Sequence, residues 1–161
     1  MTQDNQTTIM PAANLEAPQI NTDWVADIAD MHTKFGVNTV IRKLNKADLA
    51  KFLKFRVDFL QEELDEMIAA SEDPDYKKPD ARGDDIVDAL IDICVVAIGT
   101  MNAFDVDAHT AWARVHSKNM EKNAGVNPNR PNELGLPDLI KPAGWTSPTH
   151  ADNVGLLSKL F

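Results

Sequence analysis

Two groups of acidic side chains are the part of this sequence that could do chemistry. One lies in the run EELDE and the other in a later apolar stretch, and together they comprise Glu62, Glu63, Glu66, Asp85, Asp88 and Asp92. At about 100° per residue, each group falls on one side of a helix. Carboxylates that converge repel one another, and a hard divalent cation bound by oxygen ligands removes that cost. The two groups therefore predict a site for Mg²⁺, with Mn²⁺ as a substitute.

Each acidic group also has a plainer interpretation. An acidic run such as EELDE is usually a solvated helix face. The aspartates differ because their neighbours are apolar, from Ile86 and Val87 to Val95 and Val96. Ionised carboxylates in such surroundings are costly unless they are paired or bound to metal. An interface between the aspartates and lysine or arginine side chains therefore stays open as the alternative.

Hydrophobic periodicity predicts the helices that must position these groups. The predicted helices span residues 22–35, 46–71, 84–103 and 107–122. Asn21 or Thr22 is the expected cap of the first helix, and Asn45 is the expected cap of the second. Residues 36–44 have no helical period and are predicted to be a connection, and no segment is typical of a strand. Helices joined by short links predict an all-α fold, an antiparallel helical bundle.

The composition divides the chain into three segments. Residues 1–21 are predicted to be a flexible polar tail, residues 22–124 a helical catalytic core, and residues 125–161 an irregular proline-rich segment that packs on the core. The helix over residues 84–103 is apolar nearly all round, which is more than one small bundle covers. We therefore expect oligomerisation to complete the bundle, as a homodimer or a homotetramer.

Charge and composition exclude several classes of partner. The net charge is −9, from 16 Lys and Arg against 25 Asp and Glu, so neither nucleic acid nor an anionic membrane surface is an expected partner. The stretch from Ile86 to Phe104 is apolar, but Asp88 and Asp92 interrupt it and argue against a membrane span. Cys94 is the only cysteine, and the polar start MTQDNQTTIM lacks the features of a secretory signal. We expect a cytoplasmic protein.

The fourth predicted helix and the segment after it carry candidate substrate contacts. These are His116, Asn119, Lys122, Asn123, Arg130 and Lys141. His116, Asn119 and Asn123 fall within about 60° of one helix face, where they could contact a phosphate or a base. Lysines near a helix C-terminus also favour the helix dipole, which is the plainer interpretation of Lys122. Arg130 and Lys141 could clamp a phosphate from the C-terminal loop.

The acidic pattern resembles that of the MazG-like and phosphoribosyl-ATP-pyrophosphohydrolase-like enzymes, in which an EExxE helix precedes a second acidic helix. Here the first motif runs from Glu62 to Glu66, and the second is VDALID, which contains Asp88 and Asp92. The segments DMHTKFGV, GTMNAFDVD, VHSKNMEKN and KPAGWTSP are similar to one branch of this family. The likeness covers residues 24–148 and implies the same all-α fold.

The resemblance implies a magnesium-dependent reaction. A nucleoside triphosphate (NTP or dNTP) would be hydrolysed between its α and β phosphates to the monophosphate and pyrophosphate. The main implied metal ligands are Glu63, Glu66, Asp88 and Asp92. The family's second motif is ExxD, whereas Asp88 and Asp92 are four residues apart in this sequence. Asp85 therefore stays a candidate ligand as well.

The catalytic and substrate roles follow from the same resemblance. Glu62 and Glu63 are the candidate catalytic residues, and Glu62 is favoured as the general base. The family's N-x-x-K motif falls at Asn119 and Lys122, which favours substrate contact over a role at the helix dipole.

Several alternatives remain open at this point. The substrate could be a specialised nucleotide such as phosphoribosyl-ATP, and the preferred base and sugar are open as well. The chain could also be a catalytically silent helical bundle that only binds nucleotides or a partner. A di-iron four-helix carboxylate protein is not expected, because that class needs Glu-x-x-His motifs and the sequence contains none.

Overall fold

The computed structural model describes residues 23–127, 133–135 and 137–161. It contains five α-helices, α1 (Trp24–Lys34), α2 (Val37–Ile41), α3 (Lys46–Glu72), α4 (Arg82–Ala103) and α5 (Ala108–Met120). A two-stranded hairpin follows, β1 (Asn123–Gly125) and β2 (Asp138–Ile140), and 3₁₀ turns occupy Pro79–Ala81 and Gly155–Lys159. The all-α prediction is confirmed. The predicted tail over residues 1–21 lies outside the described residues.

Side-chain caps explain where three of the helices begin. Asp23 accepts a hydrogen bond from the Ala26 amide at 3.1 Å and so starts α1. The expected cap at Asn21 or Thr22 was therefore wrong by one or two residues. Asn45 caps α3 as predicted, and its side chain accepts from the Asp48 amide at 3.0 Å. Asp107 caps α5 in the same way.

The segment after α1 departs from the prediction of a connection without helix. Gly36 has φ +70°, a left-handed conformation that ends α1 and turns the chain directly into the short helix α2. Ile41 at the end of α2 is buried against Leu49 and Phe104. This tertiary contact stabilises a helical turn that has too few residues to show a period in the sequence.

Helices α3 and α4 form the antiparallel pair that carries the acidic residues. The Arg56 guanidinium donates to the Val96 carbonyl at 2.9 Å, near the end of α4. Arg82, at the start of α4, donates to the Ala70 carbonyl at 2.9 Å, near the end of α3. These two contacts align the helices over most of their length. Helix α4 begins at Arg82, two residues before the predicted start, because the 3₁₀ turn at Pro79–Ala81 leads directly into it.

The core lies where the ends of α2, α4 and the C-terminal segment meet the start of α3. Phe104 is fully buried and packs on Phe52, with ring centroids 5.7 Å apart. Its carbonyl accepts a hydrogen bond from the Leu156 amide at 2.7 Å. Gly155 passes so close to this carbonyl that a Cβ would collide with it. The C-terminal segment is therefore attached to the core at this point.

The hairpin is a correction to the expectation that the chain has no strands. β1 and β2 pair antiparallel, with Asn123 opposite Ile140 and Gly125 opposite Asp138. Each strand has only three residues, which is too short to produce an alternating pattern in the sequence. The pairing depends on contacts between segments that are distant along the chain.

Helix α4 is only partly covered within one chain. Val87 is 59% exposed, Leu90 46% and Ile91 44%. By length and composition alone, the stretch Pro79–Ala103 would also qualify as a membrane span, a test that core helices of soluble proteins pass as well. Only 22% of its most apolar 18 residues are buried within the chain. In the structure its inner side packs along α3. The prediction of a buried central helix therefore holds, within a single chain, only for the side that faces α3.

Candidate active site

The acidic residues of α3 divide between two surroundings. Glu63 is half-buried on the side that faces α4, whereas Glu62 and Glu66 are exposed. Glu62 and Glu66 also line an open groove along α3, and Glu66 in addition lines the pocket that contains Asp85 and Asp88. The helical period produces this division, because Glu63 lies about 100° from Glu62 around the axis.

The antiparallel packing brings the aspartates of α4 to the glutamates of α3. The pKa of Glu63 is raised, first by burial and then by the negative charges of Asp92, Glu66, Glu62 and Asp88. Four other carboxylates therefore lie within electrostatic reach of one partly buried carboxylate. The juxtaposition expected from the sequence is present in the structure, and its order along the helices follows from the α3–α4 alignment.

Asp85 has different partners from the other aspartates. The Tyr76 hydroxyl donates to its carboxylate at 2.6 Å, and the Lys78 ammonium lies 3.3 Å from it. These contacts lower the pKa of Asp85, the Tyr76 hydrogen bond most strongly. The linker between α3 and α4 thus stabilises the ionised form of Asp85, while Glu63 is surrounded by like charges.

Tyr76 and Lys78 are site-proximal residues that the sequence reasoning missed. With Glu66, Asp85 and Asp88 they line a pocket of about 220 Å³. The Arg82 guanidinium lies 5.2 Å from the centroid of the Tyr76 ring and helps to hold the linker in place. The linker has no periodicity, so only its aromatic and basic residues between two acidic helices could have drawn attention to it.

The donor set suits a hard divalent cation. Carboxylate oxygens are the ligands that Mg²⁺ and Mn²⁺ prefer, and no cysteine or histidine was expected among them. In the part of the chain that the structure describes, no three Asp, Glu, His or Cys side chains are arranged as a formed metal-binding cluster. The mutual repulsion around Glu63 is nevertheless the electrostatic condition that a bound cation would relieve. Residues and charge therefore fit such an ion.

The candidate substrate residues of α5 lie near its C-terminal end. His116 is exposed and stacks on Trp112, with ring centroids 6.0 Å apart and planes 5° from parallel. The Asn119 side-chain oxygen accepts a hydrogen bond from the Lys122 ammonium at 2.9 Å. Asn123 is exposed at the start of β1. These four residues thus follow one another along the end of α5 and into the hairpin.

Lys141 and Lys122 both lie near Trp145, a residue that the sequence reasoning did not select. The Lys141 ammonium is 4.7 Å from the centroid of the Trp145 ring, and the Lys122 ammonium is 5.3 Å from it. The indole N–H of Trp145 donates to the Lys118 carbonyl at 3.0 Å. An aromatic residue in the KPAGW turn was the available signal. Arg130, the remaining candidate, lies outside the described residues.

The acidic residues and the two lysines form separate clusters within one chain. The acidic cluster lies in the C-terminal half of α3 and the N-terminal half of α4, and the lysines lie at the outer end of the hairpin, next to the end of α5. Among residues 23–127, 133–135 and 137–161, no hydrogen bond or ion pair joins Lys122 or Lys141 to the acidic cluster.

Comparison with known proteins places this site in a family. The family model described as phosphoribosyl-ATP pyrophosphohydrolase matches residues 40–119, which include α3, α4 and nearly all of α5. No curated protein and no solved structure matches the chain. The matched segment contains both acidic motifs and the Asn119 end of α5. The chain belongs to the phosphoribosyl-ATP pyrophosphohydrolase family and is an all-α pyrophosphohydrolase that acts on a nucleotide.

Proposed function

We propose that the protein hydrolyses a nucleoside triphosphate, NTP or dNTP, to the monophosphate and pyrophosphate with Mg²⁺ as cofactor. The observation that carries this proposal is the crowding of carboxylates from two helices around Glu63, whose pKa is raised first by burial and then by those negative charges. Such crowding is unfavourable for the protein alone and favours a site that binds a divalent cation. Mn²⁺ would substitute because it accepts the same oxygen ligands.

The residues that would hold the ion are Glu63, Glu66, Asp88 and Asp92. A bound Mg²⁺ supplies charge that offsets the negative charge developing on the phosphates, and it lowers the pKa of a coordinated water. Asp85 lies at the edge of this group, held by Tyr76 and Lys78. In this proposal it supports Asp88 and Glu66 from the linker side and contributes less to metal affinity than they do.

Glu62 is the proposed general base. It is exposed and lines the open groove on α3 together with Glu66. An ionised carboxylate there can accept a proton from an attacking water, while Glu63 stays on the metal side.

The nucleotide is proposed to be oriented by a second group of residues, His116, Asn119, Lys122, Asn123 and Lys141. The lysines would contact the phosphates of the nucleotide, and His116 would contact its base.

We also propose that the active form is a homo-oligomer, at least a dimer. Val87, Leu90 and Ile91 leave an apolar strip on α4 exposed in one chain. A second copy that covers this strip would complete the helical bundle. Sedimentation that shows only monomer at micromolar concentration would contradict this.

With Cys94 as the only cysteine, the chain suits a reducing compartment such as the cytoplasm.

The test is turnover of a nucleotide panel. The purified full-length chain is incubated with NTPs, dNTPs and phosphoribosyl-ATP, with Mg²⁺, with Mn²⁺ and with chelator, and the products are separated. We expect metal-dependent formation of a monophosphate and pyrophosphate. Diphosphate plus inorganic phosphate would show that a different bond is cleaved. No turnover of any nucleotide, with metal binding intact, would leave a binding role.

Phosphoribosyl-ATP is the second candidate substrate, and the description of the matching family favours it. The panel separates the two candidates directly, because each substrate gives a different monophosphate. Glu63→Gln serves as the inactive variant. Glu72→Gln is its matched control, since Glu72 is exposed at the C-terminal end of the same helix and lines neither the groove nor the pocket. Equal loss in both variants would contradict the assignment of the site.

A further inference from the structure

The register of the hairpin places two lysines at facing positions. Asn123 is paired with Ile140, so the next positions outward on the two strands are Lys122 and Lys141. Gly125 permits this close pairing, because a Cβ at that position would come within 2.8 Å of Cγ1 of Ile140. A shift of one residue would bring other side chains together. The adjacency of the two lysines is therefore built into the hairpin.

Like charges directly opposite each other in a hairpin are destabilising. Within the described ranges, neither ammonium group has a carboxylate within 4.0 Å, although the chain has a net charge of −9 and many carboxylates are available. Lys122 has only the neutral Asn119 side chain as a hydrogen-bond partner. Among the described residues, Lys122 and Lys141 are therefore two cations without a carboxylate partner at facing positions of one hairpin.

Trp145 holds both ammonium groups. They lie 5.3 Å and 4.7 Å from its ring centroid, at distances where a cation is attracted to an aromatic ring. The ring itself is fixed at two points. Its indole N–H donates to the Lys118 carbonyl at the end of α5, and its backbone amide donates to the Pro142 carbonyl at 3.1 Å. Gly144, with φ +77°, permits the tight turn between Pro142 and Trp145.

We propose that Lys122, Lys141 and Trp145 form a subsite for the pyrophosphate portion of the substrate, with Trp145 as the positioning residue. The inference rests on the proposed function, which supplies a substrate with adjacent phosphates. Two ammonium groups that share one aromatic ring can each donate to one of two adjacent phosphates, whereas a monophosphate offers only one. The subsite therefore favours a triphosphate over the monophosphate product. It also leaves no net like-charge repulsion once the anion is bound.

The test measures binding of inorganic pyrophosphate to the full-length protein by calorimetry, at low salt and without divalent metal. Lys141→Met is expected to weaken binding about tenfold, because it removes one charge-assisted contact. Lys141→Arg is expected to restore binding to within about threefold of the parent. Lys43→Met is the matched control, since Lys43 is an exposed lysine between α2 and α3 and its loss changes the net charge equally. Equal binding by Lys141→Met and Lys43→Met would overturn the subsite.

Trp145→Leu tests the positioning role. We expect it to weaken pyrophosphate binding and to raise KM for the triphosphate, while kcat changes by less than about twofold, since the ring acts through the lysines and not on the reacting bond. A fall in kcat with unchanged KM and unchanged pyrophosphate binding would contradict this role. Far-UV circular dichroism shows whether the variant is folded, and Trp145→Phe, which retains an aromatic ring, is expected to keep most of the binding.

The two proposals fail in different ways. If the protein hydrolyses nucleotides but Lys141→Met binds pyrophosphate like the parent, the subsite is wrong and the proposed function stands. If no nucleotide is hydrolysed but Lys141→Met loses pyrophosphate binding, the proposed reaction is wrong and an anion site remains. The metal-free binding assay makes this separation possible, because it does not depend on turnover.

Discussion

Two regions of this protein place like charges side by side, and they do so by different means. On α3 and α4, carboxylates four or fewer residues apart share a helix face, and the antiparallel packing adds the second helix. In the hairpin, Lys122 and Lys141 come from segments far apart in the chain and meet only through strand pairing. The first arrangement is visible in the sequence, and the second is not.

The relief of repulsion also differs between the two regions. Asp85 is stabilised as a carboxylate by Tyr76 and Lys78, whereas Glu63 remains among negative charges. The lysines are held by the ring of Trp145 and not by a counter-ion. One region therefore favours a cation and the other an anion. A magnesium-bound polyphosphate carries both charges, so a substitution in either region should weaken its turnover.

The largest effect is expected within the acidic region. Asp92→Asn should lower kcat/KM about 100-fold or more, because Asp92 belongs to the carboxylates that surround Glu63. Asp85→Asn should lower it by less than about tenfold, since Asp85 is held by the linker and acts at the edge of the site. Steady-state kinetics over a range of Mg²⁺ concentrations measure both. Equal losses would show that Asp85 is a full ligand and that the division between the aspartates is wrong.

The hairpin can be broken and repaired by a pair of substitutions. Gly125→Ala places a Cβ against Ile140 and should raise KM about fivefold by displacing Lys141 from Lys122. Ile140→Ala alone should change KM little. The double variant Gly125→Ala with Ile140→Ala relieves the collision and should return KM toward the parent value. Failure of the double variant to recover would show that the register is not what places the lysines.

The attachment of the C-terminal segment to α5 is expected to depend on pH. The Arg114 guanidinium binds Asp152 at 2.6 Å and 2.7 Å and lowers the pKa of Asp152 to about 2, below its ordinary value of 3.8. The ion pair therefore stabilises the fold fully above about pH 4, and this contribution is lost as the pH falls toward 2. Asp152→Asn should lower Tm by about 1–2 °C at pH 7 and by nothing near pH 2.

Asp30→Asn is the control for that titration, since Asp30 is an exposed aspartate on α1. Thermal melts of the parent and both variants at several pH values measure the difference. A Tm difference for Asp152→Asn that persists unchanged to pH 2 would contradict the assignment of the stabilisation to this ion pair.

The last effect, of similar size, concerns Glu63 without metal. Its pKa is raised in the folded chain, so its ionised form opposes folding above that pKa, and stability falls as the pH rises through this window. Glu63→Gln should raise the metal-free Tm by about 1–2 °C at pH 8, a gain that disappears on acidification. Added Mg²⁺ should stabilise the parent and not the variant.

The order of the two Tm values should therefore reverse when metal is added. Glu72→Gln, at the exposed end of α3, controls for the loss of one negative charge. A Glu63→Gln variant less stable than the parent in chelator would show that Glu63 makes a stabilising contact, and the argument from repulsion would fail.

The sequence reasoning succeeded where local chemistry decides the structure. The predicted cap at Asn45 depends on a side chain three residues from the amide it binds, and helix α3 was placed to within one residue. Apart from the cap of α1 at Asp23, the missed features depend on distant partners. Helix α2 is stabilised by burial of Ile41, the hairpin by pairing across the chain, and Tyr76 by its hydrogen bond to Asp85.

The sequence by itself therefore determined the helices, their acidic faces and the family, because helical period and motif spacing are local properties of the chain. Only the tertiary structure decided which carboxylates share a charge environment. It separated Asp85 from the carboxylates around Glu63 through the linker, and it placed Lys141 beside Lys122 on Trp145. Repulsion between like charges acts over distances of a few ångströms, and those distances are set by packing and strand register, which spacing along a helix cannot specify.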